Sequence, residues 1–176
     1  MPWRSAHKVR VLGMEKMNLI RPGAKRRLQH MLEAAPDEGA RSAIRTSYGL
    51  VKVTNSPFYT HPEGSGVPVL NDAAKRAITG GTERYYREEV IRDHGDNLLH
   101  LRDVLKHLNI EVTNREYRLK AIGQEKAKPD SPKIKLNHMV STHLNAELDV
   151  LQRIRGEVEK KALALEASKG TGAQNK

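Results

Sequence analysis

The eight histidines of this sequence are the residues that first suggest a metal site or acid–base catalysis. Two histidines on one helical face bind a metal together when they lie four residues apart. His94 and His100 are six residues apart, His100 and His107 are seven apart, and His138 and His143 are five apart. No pair has the required spacing, so we predict no metal site and no cofactor.

Motifs for a nucleophile or for phosphate transfer give no catalytic centre either. Gly80–Gly81 lacks the Lys-Ser/Thr ending of a phosphate-binding loop, and no serine stands in a nucleophile elbow. Residues 83–96, ERYYREEVIRDHGD, mix acids and bases as a solvated helix does when its side chains pair four residues apart. The absence of cysteine excludes thiolate chemistry and disulfides. We predict that the protein is not an enzyme.

Positive charge is concentrated in the first third of the chain. Residues 1–60 hold eleven Lys and Arg against four Asp and Glu, residues 61–127 hold eleven of each, and residues 128–176 hold nine against six. Because cations that contact phosphates release condensed counterions, this surplus favours a polyanionic partner. We predict that the protein binds RNA, ribosomal RNA first of all, by positional phosphate contacts. The predicted contacts are Arg4, Lys8, Arg10, Lys16, Arg21, Lys25, Arg26, Arg27, Arg41, Arg45 and Lys52.

The first sixty residues give both helix and strand signals. Residues 4–12 alternate basic and apolar side chains, which predicts a strand or an extended arm, and residues 50–54, LVKVT, also predict a strand. Between them, residues 24–35 have helical periodicity, and a second, short helix is predicted to end at Ser47. We therefore predict a small α/β part at the amino-terminal end of a mainly α protein.

From Asn71 onward the pattern is helical. Asn71 or Asp72 is predicted to cap a helix that ends near Gly80–Gly81, Thr82 to cap the next helix, and Asp96 to cap the one after it. The predicted parts of the chain are residues 1–60, a basic α/β RNA-binding part; residues 61–127, a helical part; and residues 128–176, a linker, a long helix and a tail.

Residues 133–167 predict one long helix with an apolar stripe. The stripe repeats at spacings near three and four and consists of Val140, Leu144, Leu151, Ile154, Val158 and Leu165. We predict that this long carboxy-terminal helix packs on neighbouring proteins of a large assembly or on its own domain, and that the tail from Ser168 is unstructured in isolation. Glu147 and Lys161 interrupt the stripe and argue against an extended self-pairing coiled coil.

Residues 98–122 carry an alternative hypothesis. A helix, a tight turn at Asn109 and a second helix from Asn114 would have the spacing of a helix–turn–helix DNA-binding motif. The turn lacks the expected glycine and the surrounding third of the chain carries no net charge, so a plain helical hairpin is favoured.

Two short motifs of the first third add a resemblance. They are WRSAHKVRVLGMEK, residues 3–16, with its segment Leu12-Gly13-Met14-Glu15-Lys16, and YGLVKV, residues 48–53. They resemble a Leu-Gly-Leu-Glu/Arg-Lys turn and the closing strand of the thirtieth large-subunit ribosomal protein family, its mitochondrial members especially. The resemblance covers about residues 3–53. It implies a small α/β core on ribosomal RNA, a helix over residues 5–12, and an extension after residue 60.

These features predict a structural component of a ribosome, of mitochondrial type, located in the mitochondrial matrix or otherwise in the cytoplasm. No apolar run reaches the roughly 18 residues that would suggest a membrane span. A second hypothesis is a non-catalytic accessory subunit of another assembly, such as a microtubule or a respiratory complex, in contact through the 133–167 helix. A third is a DNA-binding protein that uses residues 98–122.

Overall fold

The computed structural model describes residues 24–53, 70–125 and 132–174, and the regular structure within these ranges is helical. The α-helices in chain order are α1 (Ala24–Ala34), α2 (Glu38–Val53), α3 (Asp72–Tyr85), α4 (Leu98–Gly123) and α5 (Pro132–Gln174). A π-helical turn, Tyr86–Ile91, and a short 3-10 turn, Arg92–His94, continue α3 toward α4. The mainly helical class is confirmed, while the segment predicted as a strand over residues 4–12 lies outside the described residues.

The second helix is longer than predicted. The strand expected for residues 50–54 is wrong as far as Val53, because α2 runs to that residue, and the strand that the family resemblance implied for residues 48–53 is helical too. Its buried residues recur at spacings of three and four, so burial on one helical face outweighs the strand preference of the two valines. These buried residues are Ala40, Ala43, Ile44, Ser47, Tyr48, Leu50 and Val51.

The third helix begins as predicted but does not break at its glycines. Asn71 caps it, accepting a hydrogen bond from the backbone nitrogen of Ala74 at 2.9 Å. The predicted end at Gly80–Gly81 and the predicted cap at Thr82 are wrong. Thr82 is buried within α3, and its hydroxyl donates to the carbonyl oxygen of Ile78 at 2.7 Å. Glycine here serves the packing between helices, since a Cβ at Gly81 would collide with the backbone of α1.

A single helix occupies the region predicted to contain a turn. The turn at Asn109 is wrong, and with it both the helix–turn–helix motif and the hairpin, because α4 is continuous from Leu98 to Gly123. Its buried side chains keep one helical face throughout, so the β-branched residues near Asn109 stay helical. The buried residues of α4 are Leu98, Leu101, Val104, His107, Leu108, Val112 and Arg115. The cap is Asn97 rather than Asp96, since Asn97 accepts from the backbone nitrogen of His100 at 3.1 Å.

The long carboxy-terminal helix is confirmed, and it packs on its own domain, which was one of its two predicted placements. The apolar stripe of α5 is buried against α2, α3 and α4, while packing of this helix on neighbouring proteins stays a prediction. The helix also continues past Ser168 to Gln174, where an unstructured tail was predicted. None of the helices in the described ranges is both long enough and apolar enough to cross a membrane.

The core consists of two apolar clusters that meet midway along α5. The first joins α1, α2 and α3 to the amino-terminal half of α5, and the second joins the π-helical turn and α4 to its carboxy-terminal half. These clusters run across the divisions predicted at residues 60 and 127. Buried polar side chains lie where the clusters meet, around Glu147.

Candidate functional site

The structure describes the side chains of five of the eleven predicted RNA contacts. Arg4, Lys8, Arg10, Lys16 and Arg21 lie outside the described residues, and Lys52 is placed only as a residue of α2. Lys25 is exposed in the first turn of α1 and forms no ion pair with another described residue. Among the predicted contacts whose side chains the structure describes, it is the one with no acidic partner in the described ranges.

The arginines of α1 and α2 that were predicted to contact RNA form ion pairs with glutamates of the same chain. Arg41 and Arg45 both bind Glu38, each with a nitrogen–oxygen distance of 3.0 Å. Arg26 forms an ion pair with Glu89 on the π-helical turn. Such exposed pairs add little to stability because water screens them, but they neutralise charge that a polyanion would otherwise meet.

The strongest constellation of the described residues is a buried ionic layer centred on Glu147. Arg115 of α4 donates from Nε to Glu147 Oε2 at 3.0 Å and also from Nη2. The same guanidinium donates to Glu111 Oε2 at 2.5 Å and to the Glu111 carbonyl oxygen at 3.0 Å. Glu147 is 0% exposed and Arg115 is 5% exposed, so these charges interact with little screening by water.

A second arginine, Arg27 of α1, completes the layer. Its Nε lies 3.8 Å from Glu147 Oε2, and its Cζ lies 5.9 Å from the centroid of the Tyr48 ring. The Nε atom is buried and has no hydrogen-bond partner among the described residues. Arg27 was predicted to contact RNA, but it instead supplies half of the positive charge that Glu147 and Glu111 balance.

Ser47, His143 and Glu147 form a row that resembles a catalytic triad in its residue types. The Nε2 atom of His143 donates to Glu147 Oε1 at 2.5 Å, and the hydroxyl of Ser47 lies 2.7 Å from His143 Nδ1. All three side chains are fully buried, so no substrate reaches the serine in this conformation. The row therefore acts as an internal hydrogen-bond chain that joins α2 to α5.

A buried tyrosine of the π-helical turn makes a further polar contact with α4, which already contributes Arg115 and Glu111 to the layer. Tyr86, at the start of the π-helical turn, places its hydroxyl 3.3 Å from His107 Nε2. Burial raises the pKa of Tyr86 to about 12, although nearby Arg27 opposes this shift. Tyr86 therefore stays neutral at physiological pH and serves as a hydrogen-bonding group.

The pKa values of the two buried carboxylates are lowered. Burial alone would raise the pKa of Glu147, but the guanidinium groups of Arg115 and Arg27, with His143, outweigh it and hold that pKa well below its usual range. Burial likewise raises the pKa of Glu111, and the same two arginines bring it below its ordinary value. Both glutamates are therefore ionised in the folded protein at neutral pH.

These pKa shifts predict acid sensitivity. A carboxylate with a lowered folded-state pKa stabilises the protein above its unfolded pKa, here near 4.5, and this contribution is lost as the pH falls through the folded value. We expect the free energy of unfolding in urea, followed by circular dichroism, to decrease steadily from pH 5 to the onset of acid unfolding. Glu111→Gln should reduce that slope, whereas Glu159→Gln, an exposed change on α5, should leave it intact. Equal slopes in all three proteins would contradict the prediction.

Sequence reasoning missed most of this layer, although one signal was present. Glu147 was recognised as a charge within the apolar stripe, yet the spacing of four residues between His143 and Glu147 was not read as a contact. The partners Arg27 and Arg115 are distant in sequence. By contrast, the i,i+4 pairing expected for residues 83–96 is confirmed by the Arg84–Glu88 and Arg87–Glu83 ion pairs.

The layer fits a role in holding the helices together. It joins α1, α2, α4 and α5 at one level, where the two apolar clusters meet. Among the residues that the structure describes, no three His, Asp or Glu side chains gather as metal ligands would.

Comparison with protein-family models, with curated proteins and with solved structures finds no match to this chain. Its function must therefore be inferred from its own residues.

Proposed function

We propose that the protein is a non-catalytic structural component of a ribonucleoprotein, first of all a ribosome of mitochondrial type, and that it binds RNA through residues 4–25. The observation that carries the proposal is the charge of this segment. Residues 1–25 contain six Lys and Arg and one acid, Glu15. A chain of backbone phosphates is the partner that such a strongly cationic segment fits.

Ion pairing within the chain narrows the predicted contacts. Arg26, Arg41 and Arg45 are bound by glutamates, and Arg27 belongs to the buried layer. Of the predicted contacts whose side chains the structure describes, only Lys25 is therefore left to bind RNA. With those that precede α1, the proposed contacts are Arg4, Lys8, Arg10, Lys16, Arg21 and Lys25.

The start of α1 supports a phosphate contact at Lys25. The first turn of α1 contains no acidic side chain, so its unpaired backbone N–H groups and the helix dipole present positive charge. Lys25 adds a further positive charge there. An RNA phosphate near this turn would be stabilised by both, and it would relieve the repulsion between the lysine and the dipole.

The salt dependence of RNA binding tests the proposal. With six phosphate contacts to single-stranded RNA, log K should fall with log salt concentration at a slope of about −4, since each contact contributes about −0.7. Fluorescence anisotropy with RNAs of mixed sequence should show this slope and little sequence preference. A variant with all six cations changed to Gln should lose the slope almost entirely.

The matched control is the double variant Arg41→Gln/Arg45→Gln. It removes two cations from the same third of the chain, but both are already bound to Glu38. The slope should therefore change by less than the value of about 0.7 that one phosphate contact contributes. An equal loss in the control would contradict the assignment to residues 4–25.

Two other results would contradict the proposed function. No binding to any RNA would favour the accessory subunit of a protein assembly, and preference for one DNA duplex would favour a DNA-binding protein. Sequencing the RNA that copurifies with the intact chain tests the ribosome directly, because ribosomal RNA should be enriched over messenger RNA.

A further inference from the structure

The outward face of α4 carries three large apolar side chains in a line. Leu99 is 71% exposed, Ile110 is 44% exposed and Tyr117 is 74% exposed. They are eleven and seven residues apart, and at about 100° per residue these spacings return to the same side of a helix. This side is opposite the one that Leu108 buries in the core.

The positions between them follow a coiled-coil spacing. Steps of four and three residues along this side define what we call the α4 stripe: Leu99, Asp103, Lys106, Ile110, Thr113, Tyr117, Lys120 and Gln124. All eight are exposed. Alternating steps of four and three are the geometry by which one helix packs along another.

The charges of the α4 stripe have no counterpart within the described part of the chain. Asp103, Lys106 and Lys120 form no ion pair there, whereas Arg102, one position from the stripe, is bound to Glu166. Unpaired charges of both signs lie on the same line as the exposed apolar groups. A surface that carries charges of both signs fits a protein partner better than RNA, which would require a single sign.

We infer that the α4 stripe binds a second copy of this chain, with the two α4 helices antiparallel about a two-fold axis. In one register each charge meets a favourable group. Asp103 lies opposite the partner's lysine at position 120, and Lys106 lies opposite the tyrosine at 117, where a cation–π contact forms. The two-fold symmetry makes each of these contacts twice.

The centre of the α4 stripe fits the same register. The two-fold axis passes between Ile110 and Thr113, so Ile110 of one copy lies opposite the threonine at position 113 of the other. A shallow depression lined by Asn109, Ile110, Thr113 and Asn114 is located at this point and receives the partner's isoleucine.

Other registers pair the charges poorly. Shifting one helix by seven residues sets Asp103 opposite threonine and Lys106 opposite isoleucine. A parallel arrangement sets each charge opposite its own copy, which is repulsive. Charge complementarity therefore selects the antiparallel arrangement with Asp103 opposite Lys120.

Sedimentation equilibrium of the full, nuclease-treated chain tests this interface. We expect a dimer, and we expect Asp103→Lys and Lys120→Asp each to weaken it about tenfold, because each puts two like-charged pairs in the interface. The double variant should restore the affinity of the original chain. Lys160→Asp, an exposed charge change on α5, is the control and should have no effect.

Disulfide cross-linking tests the register independently, because the chain has no cysteine of its own. A mixture of Ile110→Cys and Thr113→Cys chains should oxidise to a covalent dimer, and a mixture of Thr113→Cys and Lys160→Cys chains should not. A chain that stays monomeric at high micromolar concentration would overturn the proposal. So would a dimer that is indifferent to both single charge changes.

Discussion

Glu147→Ala is expected to lower the free energy of unfolding by about 4 kcal/mol. Removal of this carboxylate leaves the guanidinium groups of Arg27 and Arg115 buried with only Glu111 to balance them. An uncompensated buried charge costs far more than the loss of a surface ion pair. Urea unfolding followed by circular dichroism measures the difference.

Two companion variants separate charge from packing. Glu147→Gln keeps the volume of the side chain and removes only its charge, so it should retain most of the loss. Glu157→Ala removes a glutamate from the same helix whose partner, Arg87, is at the surface, and it should cost less than about 1 kcal/mol. If Glu147→Gln unfolds at the same urea concentration as the original chain, the charge of the layer does not stabilise the fold.

Gly81→Ala is expected to destabilise the protein by about 3 kcal/mol. A Cβ at this position would lie 2.7 Å from the carbonyl carbon of His30 and would overlap the backbone of Met31. Backbone atoms of a packed helix cannot rotate away as a side chain can, so α1 and α3 would have to separate. Thermal and urea unfolding should both show the loss.

The neighbouring glycine supplies the control for this prediction. Gly80 is in the same helix, but a Cβ there would meet nothing within 4 Å. Gly80→Ala should therefore stabilise the protein by up to about 1 kcal/mol, because alanine is the better helix former. Similar effects at both positions would show that α1 does not cross α3 at Gly81.

The sequence predicted the elements whose periodicity is unbroken. Residues 24–35 and 133–167 repeat at three and four, and both proved helical. The predictions of a strand over residues 50–53 and of a turn at Asn109 were wrong, because local strand or turn preference is weaker than burial of a helical face. Burial depends on neighbouring helices, which a local sequence pattern does not contain.

Charge was harder to interpret than periodicity. The glutamates that occupy Arg26 and Arg27 lie 63 and 120 residues farther along the chain, so composition counted these arginines as available. Arg45 and Glu38 are seven residues apart on one helix, a spacing that the sequence does contain. Such long-range pairs can be recognised only in the folded chain, and they reduce the number of cations with described side chains in the first third that have no acidic partner.

The position of α5 in the chain has a consequence for how the protein is made. Both apolar clusters take side chains from α5, which follows every other described helix. During synthesis, α1 to α4 leave the ribosomal tunnel before the helix that both apolar clusters share, so neither cluster is complete until α5 emerges. The apolar surface that α5 will cover stays exposed until then, and the nascent chain is prone to aggregation.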